Sequence, residues 1–236
     1  MAKAPQAGRS KTRLCPPLAP PEAAALSAAF LQDTTHNIVE ASRFAPIAPY
    51  AAYAPAGHED LVRAHLAPLT RLVLADGSAP VPSGVEGFGR CLLQAIEGML
   101  ERGHLAACVL SSDVPTLPTR LLVETAHHLL APGDRAVLGA CHDGGYYILG
   151  LKSAHARAFA DIAWSTDTVA EATRKRIREI GIDLVELDPW YDVDDAASLS
   201  SVLGETAGYG APATRDTLDR LGLRGVRSPV RAGVPA

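Results

Sequence analysis

This 236-residue sequence is poor in cysteine and aromatic residues, and it contains no long apolar run. It has four cysteines and no C-x-x-C pair, which argues against a zinc site or a disulfide framework. No apolar run reaches about 18 residues, so we expect no membrane-spanning helix. No apolar segment follows Met1, so we expect no signal peptide. These absences predict a cytoplasmic protein with reduced thiols.

The chain also lacks an overall positive charge, since its net charge is −4. We therefore expect no nucleic-acid partner. No Gly-x-Gly-x-x-Gly motif occurs, which disfavours a dinucleotide-binding Rossmann domain. The opening segment has the Lys-Thr ending of a Walker A loop. It has no glycine directly before Lys11, however, so a P-loop NTPase is disfavoured.

Strand-like and helix-like segments alternate along most of the chain. Strands are predicted at 46–54, 70–75, 105–111, 135–140, 146–151 and 183–187, the first as an edge strand because of Pro49. Helices are predicted at 20–43, 58–66, 88–101, 118–130, 167–180 and 195–203. This alternation predicts an α/β sandwich with a mostly parallel sheet. We expect one domain over residues 1–204 and a peripheral, partly disordered tail over 205–236.

The opening segment collects the cations Lys3, Arg9, Lys11 and Arg13 around Gly8. Glycine lets the backbone approach a ligand closely, and lysine and arginine bind phosphate oxygens. The segment is therefore either a phosphate cradle or a frayed basic N-terminus, and the pattern alone favours neither.

An acidic residue follows the buried strand predicted at 105–111. Asp113 would lie at the carboxyl edge of the sheet, where ligands bind in open α/β folds, and Pro115 stiffens the turn after it. A carboxylate there can bind Mg²⁺. The alternative is that Asp113 caps the next helix, but Thr116 is better placed for capping, so we favour the metal role.

Three later turns carry further candidates. Asp143-Gly144-Gly145 is typical of a plain hairpin turn, and its pattern alone favours that interpretation. Asp192, Asp194 and Asp195 gather negative charge that a cation would stabilise, although one of the last two is expected to cap a helix. Trp164-Ser165-Thr166 offers hydroxyls that cap a helix or contact substrate, with capping favoured.

Five ordered motifs together resemble one known family. They are Lys-Ala-Pro-x-x-Gly-Arg-x-Lys-Thr-Arg-Leu, Ser-Asp-x-Pro-Thr-Leu, Asp-Gly-Gly-Tyr-Tyr, Trp-Ser-Thr and Asp-Val-Asp. Their order resembles the bacterial rSAM/selenodomain-associated transferase 1 group, often labelled a glycosyltransferase of arsenosugar biosynthesis. That group is similar to the nucleotide-diphospho-sugar transferase (GT-A) superfamily, which includes 2-phospholactate and molybdenum cofactor guanylyltransferases. The resemblance implies a Rossmann-like, three-layer α/β/α fold.

The resemblance also implies roles for particular residues. The phosphates of the nucleotide would be bound by Lys3, Gly8, Arg9, Lys11, Thr12 and Arg13. Mg²⁺ or Mn²⁺ would be bound by Asp113 and Asp194, with Asp192 as a weaker candidate. The chemistry would be carried by Asp113, Asp143 and Lys11. The acceptor would be lined by Gly144, Gly145, Tyr146, Trp164, Ser165 and Thr166, which replaces the plain-hairpin interpretation of the glycine turn.

The sequence departs from this family in two places. Relatives usually have threonine at the position of Asp195. They also have an apolar strand before Lys-Ala-Pro, whereas this chain begins Met-Ala-Lys. We expect that Met1 is an internal methionine of a longer natural protein, and that a central strand is missing here, leaving its two neighbours unpaired. In-frame upstream codons for an apolar run would support this expectation, and a stop codon directly before Met1 would contradict it.

The resemblance implies a Mg²⁺-dependent transferase with a nucleotide-activated donor, in the leading interpretation a nucleotide sugar, and a small-molecule acceptor. The closest alternative is a guanylyl- or cytidylyl-type nucleotidyltransferase that transfers NMP from an NTP to a phosphorylated acceptor, because the many cations suit a triphosphate. A third possibility is a non-catalytic nucleotide-binding module. None of these interpretations involves nucleic acid or a membrane.

Overall fold

The structure is a computed structural model that describes residues 1–223, and its strands form two sheets. The first sheet has the order β1-β2-β3 and consists of β1 (Ala2–Lys3), β2 (Tyr50–Ala54) and β3 (Arg71–Leu74). The second has the order β4-β6-β5-β7 and consists of β4 (Ala107–Leu110), β5 (Arg135–Cys141), β6 (Tyr146–Leu151) and β7 (Asp183–Trp190). Among the strands of residues 1–223, only β6 runs antiparallel to its neighbours. The predicted α/β fold with a mostly parallel sheet is confirmed.

Helices cover both faces of the sheets. They are α1 (Pro20–Ala41), α2 (Glu59–Arg63), α3 (Phe88–Leu100), α4 (Thr119–Leu130), α5 (Val169–Ile180), α6 (Ala196–Gly204) and α7 (Pro212–Arg220). Buried side chains of α3 and α5 pack with β4, β5 and β6 in one core, and α1 and α4 pack in another. None of the helices in residues 1–223 combines the length and apolarity needed to cross a bilayer.

The predicted edge position of the strand after Pro49 is wrong. Strand β2 begins at Tyr50 and lies between β1 and β3, pairing with both in parallel. Pro49 precedes the strand, where its missing N–H breaks no ladder, and its carbonyl accepts a hydrogen bond from Arg71 N–H at 3.1 Å. The proline therefore marks the start of a central strand.

Two predicted helix caps are also wrong. Pro118 is the N-cap residue of α4, and the Thr116 hydroxyl donates instead to Tyr191 Oη at 2.7 Å. Thr168 is the N-cap residue of α5, beyond both Ser165 and Thr166. Thr116 is fully buried, so its hydroxyl requires a partner inside the protein.

The C-terminal part of the described chain packs onto the domain. Leu218 of α7 is fully buried, and α7 packs against α1. The Asp33 carboxylate of α1 accepts hydrogen bonds from Ala213 and Thr214 N–H at 3.0 and 2.7 Å, which satisfies the first turn of α7. The domain boundary at residue 204 remains a prediction. Residues 224–236, and the disorder predicted for them, lie outside the described residues.

The two sheets face each other through β2 and β4, and no hydrogen bond joins these strands within residues 1–223. A cavity of about 410 Å³ lies between them. The Met1 amine reaches into this gap and donates to Leu110 O at 2.6 Å.

Candidate functional site

Residues from four separate strand ends meet at one edge of the fold. Lys11 comes from the loop after β1, Asp113 from the loop after β4, and Asp143 from the β5–β6 turn. Asp192 and Asp194 follow β7 directly. Carboxyl ends of parallel strands meet at the same edge of a sheet, which explains why segments so distant in sequence converge here.

The Lys11 ammonium lies at the centre of this edge. Its Nζ atom donates to Val193 O at 2.6 Å and to Asp194 Oδ1 at 2.8 Å, and it forms an ion pair with Asp113 Oδ2 at 2.8 Å. The same atom lies 5.6 Å from the centroid of the Phe30 ring, and the side chain is only 7% exposed. Burial disfavours the charged amine, but the carboxylates of Asp113 and Asp194 outweigh burial and raise the pKa of Lys11.

The opening loop is folded by its own hydrogen bonds. The buried Ser10 hydroxyl accepts from Gln6 N–H at 3.0 Å and donates to Ala4 O at 3.4 Å. Gly8 and Lys11 both adopt positive φ angles, 73° and 49°. Among the described residues, neither the Gly8 N–H nor the Lys11 N–H donates a hydrogen bond. Free N–H groups in such a loop can bind an anion.

The remaining acidic groups surround Asp192. Its carboxylate, Asp143 and the Cys141 thiol each offer one ligand atom, and these three atoms lie within 4.8 Å of one another. Burial, followed by repulsion from Asp143 and Asp194, raises the pKa of Asp192 to about 6. Within residues 1–223 the Asp192 carboxylate has no ion-pair partner. Within residues 1–223, Asp192 therefore lacks the direct ion pair that Asp113 and Asp194 form with Lys11.

The neighbouring Asp195 has a purely local role. Its carboxylate accepts the Ser198 N–H at 2.8 Å and caps α6. The prediction that Asp194 or Asp195 caps this helix is confirmed, and capping falls to Asp195. Asp194 is therefore free to form ion pairs with Lys11 and, at 3.4 Å, with the exposed Arg13.

The glycine turn joins β5 to β6 as a hairpin and packs against a second loop. Gly144 has a φ of 92°, and a Cβ atom there would lie 1.9 Å from Asp167 O. The Ala170 N–H donates to Gly144 O at 2.9 Å. Gly145 N–H donates to Asp143 Oδ1 at 2.8 Å, which orients that carboxylate. The absent side chain at Gly144 thus allows two loops of the site to touch.

The expected acceptor residues divide into two groups. The Tyr146 hydroxyl is buried and has no hydrogen-bond partner in the described part of the chain, and burial raises the pKa of Tyr146. Trp164 packs edge-to-face on Phe88 with ring centroids 5.9 Å apart. Ser165 and Thr166 are exposed on the loop beside the glycine turn. The structure therefore uses both aromatic side chains in packing and leaves the two hydroxyl residues accessible.

A second cavity of about 310 Å³ adjoins the opening loop. It is lined by Lys3, Ala4, Gln6, Arg9, Ala54, Pro55, His58 and Asp76. Lys3 and Arg9 are exposed and form no ion pair within residues 1–223. Two uncompensated cations beside a concave surface favour an anionic ligand.

Most of these residues are predicted from the sequence to lie at one edge of the sheet. Three further residues of the site, Asp76, Cys141 and His58, are not predicted. Asp76 directly follows β3 and Cys141 ends β5, so the strand-end rule that selects Asp113 applies to both. No sequence signal marks His58. Lys11 differs most from expectation, because its ammonium contacts carboxylates and a carbonyl where a phosphate contact was expected.

Comparison with known proteins extends these findings. No curated protein sequence matches the chain. The fold is similar to the crystal structure of a "putative nucleotide-diphospho-sugar transferase" from Desulfovibrio desulfuricans G20, with a TM-score of 0.76, 23% sequence identity and 93% of each chain covered. The family model for uncharacterized proteins conserved in bacteria (DUF2064) matches residues 37–166, a stretch that contains Asp113, Asp143 and the Trp164–Thr166 loop. Because this match covers more than half of the chain, the protein belongs to the DUF2064 family.

Proposed function

We propose that this protein is a Mg²⁺-dependent transferase that uses a nucleotide-activated donor, specifically a nucleotide sugar, and a small-molecule acceptor. One observation carries the proposal: cations without ion pairs in residues 1–223 lie at the end of β1 and in the loop after it, and carboxylates without ion pairs in that range follow β5 and β7, all at strand ends where ligands bind in such sheets. A nucleotide diphosphate with a divalent cation neutralises both groups at once. The fold, similar to that of a "putative nucleotide-diphospho-sugar transferase", agrees with this chemistry.

The phosphates would bind to the outer part of the opening loop. Lys3 and Arg9 line the 310 Å³ cavity, which Asp76 also borders, and neither forms an ion pair within residues 1–223. In the same range the N–H groups of Gly8 and Lys11 have no acceptor and are free for an anion. Thr12 and Arg13 are exposed on the same loop. The Lys11 side chain takes a different part in this proposal, because its three acceptors leave its ammonium no free donor. It holds Asp113 and Asp194 in place.

The donor set around Asp192 fits a divalent cation. Asp192 and Asp143 are carboxylates without ion-pair partners in the described chain, and oxygen ligands suit Mg²⁺ or Mn²⁺. An ion bound by these two residues would neutralise charge on the departing diphosphate. Asp113 and Asp194, which the sequence favoured as ligands, face Lys11 with one carboxylate oxygen each. In this proposal Asp113 and Asp194 are held by Lys11 and do not bind the ion directly, whereas Asp192 does.

The chain's own groups would position the reactants by charge and shape. Arg9 and Lys3 would hold the diphosphate, while Ser165 and Thr166 would contact an acceptor beside the glycine turn. No nucleophilic side chain of the protein is required. In this proposal catalysis is electrostatic stabilisation of the leaving group, which suits a site rich in fixed charges.

Nucleotidyl transfer remains the second candidate, because three exposed cations of the opening segment, Lys3, Arg9 and Arg13, suit a triphosphate. Product analysis separates the two. Incubation with a sugar nucleotide and acceptor should release free nucleoside diphosphate. Release of pyrophosphate from an NTP would support nucleotidyl transfer. Whichever of the two reactions applies, we also propose that the protein is related to the rSAM/selenodomain-associated transferase 1 group.

A thermal-shift screen of nucleotides and sugar nucleotides, with and without Mg²⁺, tests binding before any acceptor is known. We expect a Mg²⁺-dependent rise in the unfolding temperature. Asp192→Ala should abolish the Mg²⁺-dependent part, and Asp183→Ala, an exposed acid at the opposite end of β7, should leave it unchanged. Nucleotide binding without turnover would favour the non-catalytic module. No binding by the wild type would contradict all three functions.

A further inference from the structure

A thiol lies beside the two carboxylates that are proposed to bind a cation. Ligand atoms of Cys141, Asp143 and Asp192 all lie within 4.8 Å of one another. Cys141 is only 7% exposed, and within residues 1–223 its Sγ atom has no hydrogen-bond partner. A buried free cysteine is usually a small apolar residue packed among others. Here the buried thiol has carboxylate oxygens as neighbours, which is the surrounding of a ligand atom.

The backbone around the glycine turn holds the thiol in place. The Cys141 N–H donates to Gly145 O at 2.9 Å, and the Gly145 N–H donates to Asp143 Oδ1 at 2.8 Å. Strand β5 shifts register against both β6 and β7 between Gly139 and Cys141. Such irregularities redirect side chains and are frequent beside active sites. The turn therefore fixes the thiol and one of the two carboxylates relative to each other.

The combination of one sulfur and two carboxylates favours a different class of cation from magnesium. Mg²⁺ takes hard oxygen ligands, whereas Zn²⁺ binds thiolate sulfur and carboxylate oxygen alike. Three protein ligands and a fourth position open to water or a phosphate oxygen are typical of a catalytic zinc site. The chain has no C-x-x-C pair, which argues against a structural zinc site but does not bear on a site with a single cysteine.

We propose that Cys141, Asp143 and Asp192 form a binding site for a thiophilic divalent cation, specifically Zn²⁺, which competes with Mg²⁺ for the two carboxylates. On binding, the thiol loses its proton to solvent, and the electron pair of the S–H bond forms the metal–sulfur bond. No oxidant or reductant takes part. The inference rests on the proposed function only for the position of the cation, since zinc binding requires neither nucleotide nor catalysis.

Titration of the full chain with Co²⁺, without nucleotide, tests for the sulfur ligand. Co²⁺ accepts the same ligands as Zn²⁺ and absorbs strongly in the near ultraviolet when a thiolate binds it. We expect this absorption in the wild type, its loss on addition of Zn²⁺, and its absence in Cys141→Ser. Cys91→Ser, at a half-buried thiol outside the cluster, is the matched control and should keep the absorption. Asp192→Ala should weaken Co²⁺ binding about tenfold or more.

X-ray absorption at the zinc edge examines the wild type itself and does not depend on the folding of any variant. We expect one sulfur neighbour of the zinc at about 2.3 Å and oxygen neighbours at about 2.0–2.2 Å. Calorimetry then compares the two cations. Cys141→Ser should lower the affinity for Zn²⁺ about tenfold or more and change the affinity for Mg²⁺ by less than about twofold, because Mg²⁺ does not require the sulfur.

Zinc without a sulfur neighbour, or a cobalt absorption that survives in Cys141→Ser, would overturn the proposal. Equal losses of Zn²⁺ and Mg²⁺ affinity in Cys141→Ser would also overturn it, because they would indicate a core thiol that only supports the fold. The proposed function fails separately. Sulfur-bound zinc in a protein that binds no nucleotide would support this inference and contradict that function. Mg²⁺-dependent nucleotide binding without sulfur-bound zinc would do the reverse.

Discussion

Replacing Lys11 by methionine should destabilise the protein strongly. The side chain is 7% exposed, and its ammonium is bound to Asp113, Asp194 and a backbone carbonyl. Methionine keeps much of the volume and removes the charge. Asp113 and Asp194 would then face each other, with Asp192 close by, and no buried cation would remain between them.

The expected magnitude follows from the exposure of the partners. Removing one member of a buried ion pair costs about 3–5 kcal/mol. Asp113 and Asp194 are 33% and 36% exposed and therefore keep some solvation, so we take the lower limit, about 3 kcal/mol. For a chain of this length that corresponds to a fall in unfolding temperature of about 6–12 °C.

Thermal and urea unfolding at pH 7.5 measure this loss. At that pH the contribution of Lys11 is fully present, because its raised pKa keeps it charged in the folded state. Lys175→Met, at an exposed lysine of α5 without an ion pair in residues 1–223, is the control and should change stability by less than about 0.5 kcal/mol. Millimolar Mg²⁺ should restore part of the loss in Lys11→Met. Equal stability of the two variants would refute the assigned role of Lys11.

Three further predictions concern single side chains. Asp192 binds protons more readily in the folded than in the unfolded state between about pH 4 and 6, so its ionised form destabilises the protein above about pH 6. Because the side chain is partly exposed, we expect Asp192→Asn to stabilise by only about 1–2 kcal/mol at pH 8 and by little at pH 4 in urea unfolding. A stabilisation equal at both pH values would contradict this. Gly144→Ala should cost about 3 kcal/mol in thermal unfolding, because its Cβ would lie 1.9 Å from Asp167 O. Gly133→Ala has a similar φ, but its Cβ would meet only Arg135 Nη2 at an ordinary 3.9 Å, so it should cost only about 1–2 kcal/mol. Equal losses would refute the contact at Gly144. Arg9→Ala should weaken nucleotide binding about tenfold in calorimetry without changing the unfolding temperature, and unchanged affinity would remove Arg9 from the site.

Much of the fold is predictable because strands buried on both faces have a clear sequence signal. The run around Ala107–Leu110 is apolar throughout, and the structure makes it a strand. The strand-end rule then places Asp113, Asp143 and Asp192 at one edge without knowledge of any contact. Topology, more than residue type, makes this part of the site predictable.

The remaining features depend on contacts between distant segments. Pro49 is typical of an edge strand, but only the arrival of β1 on the other side of β2 makes that strand central. Thr116 is a good helix cap by pattern, yet its hydroxyl bonds to Tyr191, 75 residues away. Lys11 is a plausible phosphate ligand in the sequence, and only the fold brings Asp194 next to it.

We propose above that a nucleotide binds at the opening loop together with a divalent cation held by Asp143 and Asp192. Isothermal titration of the wild type with UDP and with GTP, in Mg²⁺ and then in EDTA, tests it most directly. We predict binding of at least one nucleotide that weakens at least tenfold in EDTA and in Asp192→Ala, but not in Asp183→Ala. Absence of binding, or equal affinity in Mg²⁺ and EDTA, would contradict the account.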